Sequence, residues 1–195
     1  MNIVYTEEPH GYIVDGKPMD ALSDMMKAMG ICGYDNVPEH IMEKAARLGH
    51  AVHKATHLID IDELGSYDPA IQPYLDAYDK FKAVYSPTFL DYEVSVASKA
   101  LELATTLDRV AIINGVVSDV EIKTTSALMK KSIRIQTAGH KFIYNVDKKP
   151  KDKIKRKYIL WLRNTGKHEL IPMTNPSDDS LFISLANSYN FKKEK

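Results

Sequence analysis

The chain has 195 residues, 44% of them hydrophobic and 27% charged, which suits a single globular domain over 1–195 and excludes a disordered or fibrous protein. Lysine plus arginine (26) equals aspartate plus glutamate (26), so no global charge draws a polyanion and any nucleic-acid argument must come from local charge. Cys32 is the only cysteine, which excludes an internal disulfide, a four-cysteine iron–sulfur cluster and a cysteine-built zinc knuckle, and fits a reducing, cytoplasmic setting.

In chain order, Asp15-Gly16 between two short β-prone runs predicts a tight hairpin. Ser23 is placed to cap a short helix that stops at Gly30, where a residue without a Cβ tolerates a left-handed conformation. From Pro38 the stretch EHIMEKAARLGHAVHKATHLID keeps helical periodicity, and Gly49 within it predicts close backbone packing or a break. A third helix is read from Pro69 to about Tyr85, with Ile71, Tyr74, Leu75, Tyr78, Phe81 and Tyr85 forming its core stripe. The period then changes. Leu90, Tyr92, Val94 and Val96 alternate with Asp91, Glu93 and Ser95, as in a strand with two unlike faces.

Two further strands, LATTLDRVAII and VVSDVEIKTT, flank Asn114-Gly115, the dipeptide most favoured in a two-residue type I′ hairpin. A helix over ALMKKSIRIQTAGHKFIYN, a basic loop KKPKDKIKRK, strands YILWLR and HELIPM, and a capped terminal helix SDDSLFISLANSYNF complete the chain. No apolar run approaches the ~18 residues of a membrane span, and MNIVYTEEPHGY has neither the basic nor the apolar region of a secretory signal. The expected class is α/β, a central mixed sheet flanked by helices.

The Asn114-Gly115 hairpin carries the chemistry. If Ile113 pairs with Val116, an unbulged ladder places Asp108 opposite Glu121, their Cβ atoms roughly 4.5–5.5 Å apart on one face. Lys123 shares the face of Glu121, because side chains alternate along a strand. Two such carboxylates repel unless a hard cation, Mg²⁺ or Mn²⁺, lies between them. A solvated strand face shows the same residue types, and the hairpin alone leaves both readings open.

Asp108 followed by Glu121-Ile122-Lys123 resembles the D…(D/E)xK signature of the PD-(D/E)XK nuclease superfamily, and EIKTTS resembles its RecB-like form. Gly49-His50-Ala51-Val52-His53 resembles the upstream GxxxH motif of RecB-like and lambda-exonuclease-like members, and Gln136 resembles the start of the downstream QxxxY motif. The opening IVDGKPMDALSDMMKAMG is similar to phage and prophage exonucleases of this group, so the resemblance covers about residues 11 to 145. Leu107 stands where the superfamily has proline, Thr105 where relatives often have glycine, and His140 where QxxxY has tyrosine; Tyr144 lies one helical turn further on.

The resemblance implies a restriction-endonuclease-like αβββαβ core and a metal-dependent DNA exonuclease of phage or prophage recombination. It assigns Asp108, Glu121 and the Ile122 carbonyl to Mg²⁺ or Mn²⁺, with His53 as a further ligand or close neighbour and Glu93 as another acidic ligand. Lys123 orients or deprotonates the attacking water and offsets charge on the scissile phosphate, and Gln136 holds the water or a phosphate. It extends to a phage recombination protein as partner and to a homo-oligomer. The segment from Lys130 to Lys157 is strongly basic, and Lys130, Lys131, Arg134 and Lys141 are expected to follow a DNA backbone. Two other readings are a non-catalytic nucleic-acid-binding module that kept the fold, and a zinc hydrolase using His50, His53 and His57, whose spacing puts them roughly on one helical face.

Overall fold

A computed structural model describes residues 1–6, 11–31 and 37–194; Cys32, on which the compartment reading rests, lies outside the described residues. The chain opens with β1 (Ile3–Thr6), β2 (Gly11–Val14) and β3 (Lys17–Ala21). Val14 pairs with Lys17 across Asp15 and Gly16, whose φ angles of +49° and +80° are the two left-handed residues of a type I′ turn. Helix α1 (Leu22–Ala28) starts one residue before Ser23. Its start is held by Asp24, whose carboxylate accepts the Ala21 N–H at 3.4 Å, so Ser23 is not the cap.

Helix α2 (Glu39–Asp60) runs through Gly49 without a break. A Cβ at Gly49 would stand 3.7 Å from the Thr124 hydroxyl, so this glycine marks the place where the helix passes the loop that follows the third strand of the core. A 3₁₀ turn (Pro69–Ile71) leads into α3 (Gln72–Tyr85). Of its expected stripe, Ile71, Tyr74, Leu75, Tyr78 and Phe81 are buried.

Strands β4 (Thr88–Ser98), β5 (Leu103–Ile113) and β6 (Val116–Lys123) follow, with a bulge in β4 between Phe89 and Asp91. Helix α4 (Lys130–Asn145) begins three residues after Ala127. Strand β7 (Arg156–Leu162) starts inside the basic run, β8 (His168–Pro172) returns antiparallel to it, and α5 (Asp178–Lys193) ends the chain. Ser177 makes no capping bond through its side chain; Asp178 and Asp179 in the first turn suit the positive end of the helix dipole instead.

The eight strands form one mixed sheet. Helices α2 and α3 cover one face, where Val52, Ala55, Leu75, Tyr78 and Phe81 pack on Ala111, Ile113, Val120, Ile122 and Leu160. Helices α1, α4 and α5 form a second cluster around Leu22, Met25, Ile135, Ala138 and Phe182, and Ile133 of α4 packs on Ile159 of β7. The run α3, β4, β5, β6, α4, β7 is the expected αβββαβ core. Among the described residues, no helix is long and apolar enough to cross a membrane.

One feature of β5 positions the site. Strand β4 pairs along one edge from Leu103 to Ile112, so the other edge is shared. Leu103 and Ala104 pair in parallel with Asp20 and Ala21 of β3, whereas Arg109 to Ile113 pair antiparallel with β6. Between these two ladders, residues 105–108 face a fork in the sheet.

Candidate metal centre

The Asn114-Gly115 turn sets the register as expected. Both residues have positive φ, Ile113 pairs with Val116, and the ladder continues to Arg109 opposite Val120. It ends there, one step short of the expected Asp108–Glu121 pair, as the strands part at the fork. The Asp108 carboxylate turns to accept the Ile122 N–H at 2.7 Å, replacing the lost ladder bond with a charge-assisted one.

Asp108 and Glu121 are buried, at 8% and 3% exposure. A solvated strand face does not bury both acids, and charged groups removed from water need partners. Those partners come from two helices and from β6 itself. From α2, His53 Nδ1 lies 3.2 Å from Asp108 Oδ1, while its Nε2 lies 3.2 Å from the Ile122 carbonyl. From α4, the Gln136 amide donates to Glu121 Oε1 at 2.7 Å, and Lys123 Nζ donates to the same oxygen at 2.6 Å.

His53, Glu93 and Asp108 each offer one ligand atom, and these atoms all lie within 4.8 Å of one another. Among the described residues this is the one such group. Glu121 stands outside it, held by Lys123 and Gln136, although its second oxygen Oε2 is buried without a hydrogen bond. An imidazole, two carboxylates and a backbone carbonyl form a donor set rich in oxygen, which suits a hard divalent ion better than a soft one. His50 is exposed and does not join the group, and neither does His57, whose ring packs edge-on against Tyr92. The three histidines therefore do not form the zinc site that their spacing allowed.

The protonation states fit a site built for positive charge. Burial pushes the His53 imidazole down, but the Asp108 carboxylate beside it prevails and lifts it to about 9. Burial alone would raise the Asp108 carboxyl; the facing His53 and the Lys123 charge hold it well below the usual carboxylate range. Burial and the charge of Asp108 push Glu93 up to about 7 against the pull of Arg109 and His53.

Behind Glu121 lies a second buried layer. His140 Nδ1 is 3.4 Å from Asp119 Oδ2 and 3.6 Å from Glu121 Oε2, and both His140 and Asp119 are wholly buried. Burial pushes Asp119 up to about 6, moderated by His140. His140 therefore stands against the glutamate where QxxxY has tyrosine. Tyr144 does not substitute for it, because its hydroxyl donates to Asp91 at 2.7 Å.

The fork opens beside this centre. A cavity of about 280 Å³ is lined by Tyr12, Thr105, Thr106, Ser132, Lys123 and Gln136, with apolar side chains of α1 beneath. Of the expected backbone-binding cations, Lys130 and Lys131 are exposed at the start of α4. Arg134 donates twice to Asp178, at 2.9 and 2.6 Å, and Lys141 donates to Asp179 at 2.5 Å, so these two brace α4 against α5. A larger cavity of about 560 Å³, edged by Lys141, Lys155, Arg156 and Lys157, lies at the opening end of β7.

Sequence reasoning missed Arg109, Asp60 and Thr56. A single arginine inside the apolar run LDRVAII was the available signal, since a charge in a doubly covered strand must find partners. Asp119 was also missed, although it shares the face of Glu121 two residues on.

No family model matches the chain, and no curated protein matches it. Among solved structures, one from Eubacterium rectale whose name reads "Putative exonuclease" is similar over 92% of this chain and 75% of its own, with a TM-score of 0.51 and 13% identity. A protein named SSO0001 is similar over 77% of this chain and 73% of its own, at 13% identity and a TM-score of 0.37, too loose a likeness to argue from. The first likeness is one of fold. The class so defined is an α/β protein built on one mixed sheet flanked by helices, with an αβββαβ core.

Proposed function

We propose that the protein is a metal-dependent deoxyribonuclease that hydrolyses phosphodiester bonds at strand ends, as an exonuclease. The observation that carries this reading is the convergence of His53, Glu93 and the buried Asp108, set where β5 and β6 part and flanked by the contacts of Lys123 and Gln136 with Glu121. The E. rectale protein of like fold carries an exonuclease name, which supports the class of reaction.

His53, Glu93, Asp108 and the Ile122 carbonyl would hold Mg²⁺ or Mn²⁺, with Glu121 turning toward the same ion. Bound there, the ion supplies Lewis acidity and a water of lowered pKa. Lys123, on the wall of the fork cavity, orients the attacking water and offsets charge gathering on the scissile phosphate. Gln136 both donates and accepts, so it fixes the water or a phosphate oxygen between Glu121 and the substrate. Lys130 and Lys131 meet the DNA backbone as it leaves the cavity.

The test is incubation of linear and circular DNA with Mg²⁺, Mn²⁺ or EDTA, comparing wild type with Glu121→Ala and Lys123→Ala. Degradation of linear DNA only, dependent on the metal and lost in both variants, is the expected result. Activity that persists in the variants or in EDTA overturns the reading.

A further inference from the structure

Arg109 has 0% exposure and is the largest fully buried side chain among the described residues. It follows Asp108 directly, and its side chain runs to Thr56 and Asp60 of α2, the helix that also carries His53. Its guanidinium is shared four ways. Nε donates to Asp60 Oδ2 at 2.8 Å, NH1 donates to Glu93 Oε1 at 3.0 Å and to the Asp108 carbonyl at 2.6 Å, and NH2 donates to the Thr56 hydroxyl at 3.3 Å. Asp60 is itself fixed, accepting the Tyr78 hydroxyl at 2.5 Å and Lys82 Nζ at 3.3 Å.

The acid at the far end of this chain of contacts is held in an unusual way. Glu93 lies within strand β4 with φ at +42°, a strained conformation for a non-glycine residue that survives only where surrounding contacts impose it. Arg109 supplies such a contact. Without it, the Glu93 side chain, 36% exposed, would be drawn to solvent rather than toward Asp108.

We propose that Arg109 is a positioning residue of the metal centre: anchored by Asp60 and Thr56 of α2, it holds the Glu93 carboxylate and the Asp108 main chain at the spacing that lets both close on one divalent ion with His53. This rests on the metal-centre reading above and adds the means by which its weakest-held ligand is ordered. Helix α2 then has two tasks on one face: His53 is a ligand, and Thr56 and Asp60, one and two turns further on, steady the arginine that orders another. Lysine cannot do the same, because its three donors sit on one atom, whereas the guanidinium spreads five donors in a fixed plane.

The test is Mn²⁺ binding, followed by the electron paramagnetic resonance signal of the free ion, for wild type, Arg109→Lys, Glu93→Gln and the double variant, with folding checked by circular dichroism. Arg109→Lys should weaken binding about tenfold, the scale of a lost ligand-orienting partner. The double variant should bind more tightly than the two single losses multiplied would give, since much of the arginine's effect runs through that acid. Asp60→Asn, which touches no candidate ligand, should weaken binding by a smaller factor; it decides the matter should Arg109→Lys fail to fold. A folded Arg109→Lys that binds as wild type, losses that multiply in the double variant, or an Asp60→Asn variant with undiminished affinity each overturns the proposal. Failure of wild type to bind Mn²⁺ overturns the metal-centre reading itself.

Discussion

At the scale of single residues, the fate of Asp108 decides the chemistry. Its oxygens accept from His53 and from the Ile122 main chain, so it sits between an α2 side chain and a β6 backbone. Substituting Glu121 or Lys123 by alanine should lower phosphodiester cleavage by at least about a hundredfold with the fold intact, the scale expected for loss of a group acting on the reacting atoms. A steady-state rate within tenfold of wild type would remove both from the mechanism. His53 gives a pH prediction for the protein in chelator. With its folded pKa raised from 6.5 to about 9, it stabilises the fold fully below 6.5, and that contribution is lost as the pH climbs through about 9. The melting temperature of wild type should therefore exceed that of His53→Gln by roughly 5 °C at pH 6 and by much less near pH 10. A gap independent of pH would show that the imidazolium is not paired with Asp108.

At the scale of elements, the sequence was legible where local rules fix geometry. Asn114-Gly115 set the β5–β6 register down to Arg109, because a two-residue turn leaves no slack. It did not reveal that the ladder would stop one pair early, since that depends on β3, whose two pairs with β5 join residues more than eighty positions apart. For Gly49 the sequence leaves close packing and a break both open, because its tolerance in a helix depends on a neighbour, Thr124, that no local pattern names. Arg109 was missed for the same reason: its anchor Asp60 lies 49 residues earlier. Gly139 of α4 shows the opposite case, a glycine that packing requires. A Cβ there would come within 2.7 Å of Leu22 and 3.0 Å of Phe182, so Gly139→Val should destabilise by about 2–3 kcal/mol through overpacking. Thermal unfolding at neutral pH tests this, and a variant as stable as wild type would mean that α1 and α5 yield easily.

At the scale of the whole molecule, zero net charge conceals a division. The exposed Lys130 and Lys131 open α4, while Arg134 and Lys141 are engaged by the acidic turn of α5. Replacing Lys130 and Lys131 together by alanine should weaken DNA binding without regard to sequence and reduce the slope of log affinity against log salt by roughly 1–2. Fluorescence anisotropy with a labelled oligonucleotide measures this; an unchanged slope would route the backbone elsewhere, for example past Lys155 and Arg156.

Among the described residues, the handover of β5 from β3 to β6 leaves the opening hairpin two ladder pairs with β5, beside side-chain contacts such as Tyr12 with Thr106. Amide protons of β2 and β3 should accordingly exchange with deuterium well before those of β5 to β7, as expected where one cooperative unit opens below the global free energy. The wall of the cavity that bears Tyr12 belongs to this early-opening unit, and the wall that bears Lys123 does not. Early exchange there would mean that the entrance can widen on the Tyr12 side while Lys123 and Gln136 on the other wall keep their places.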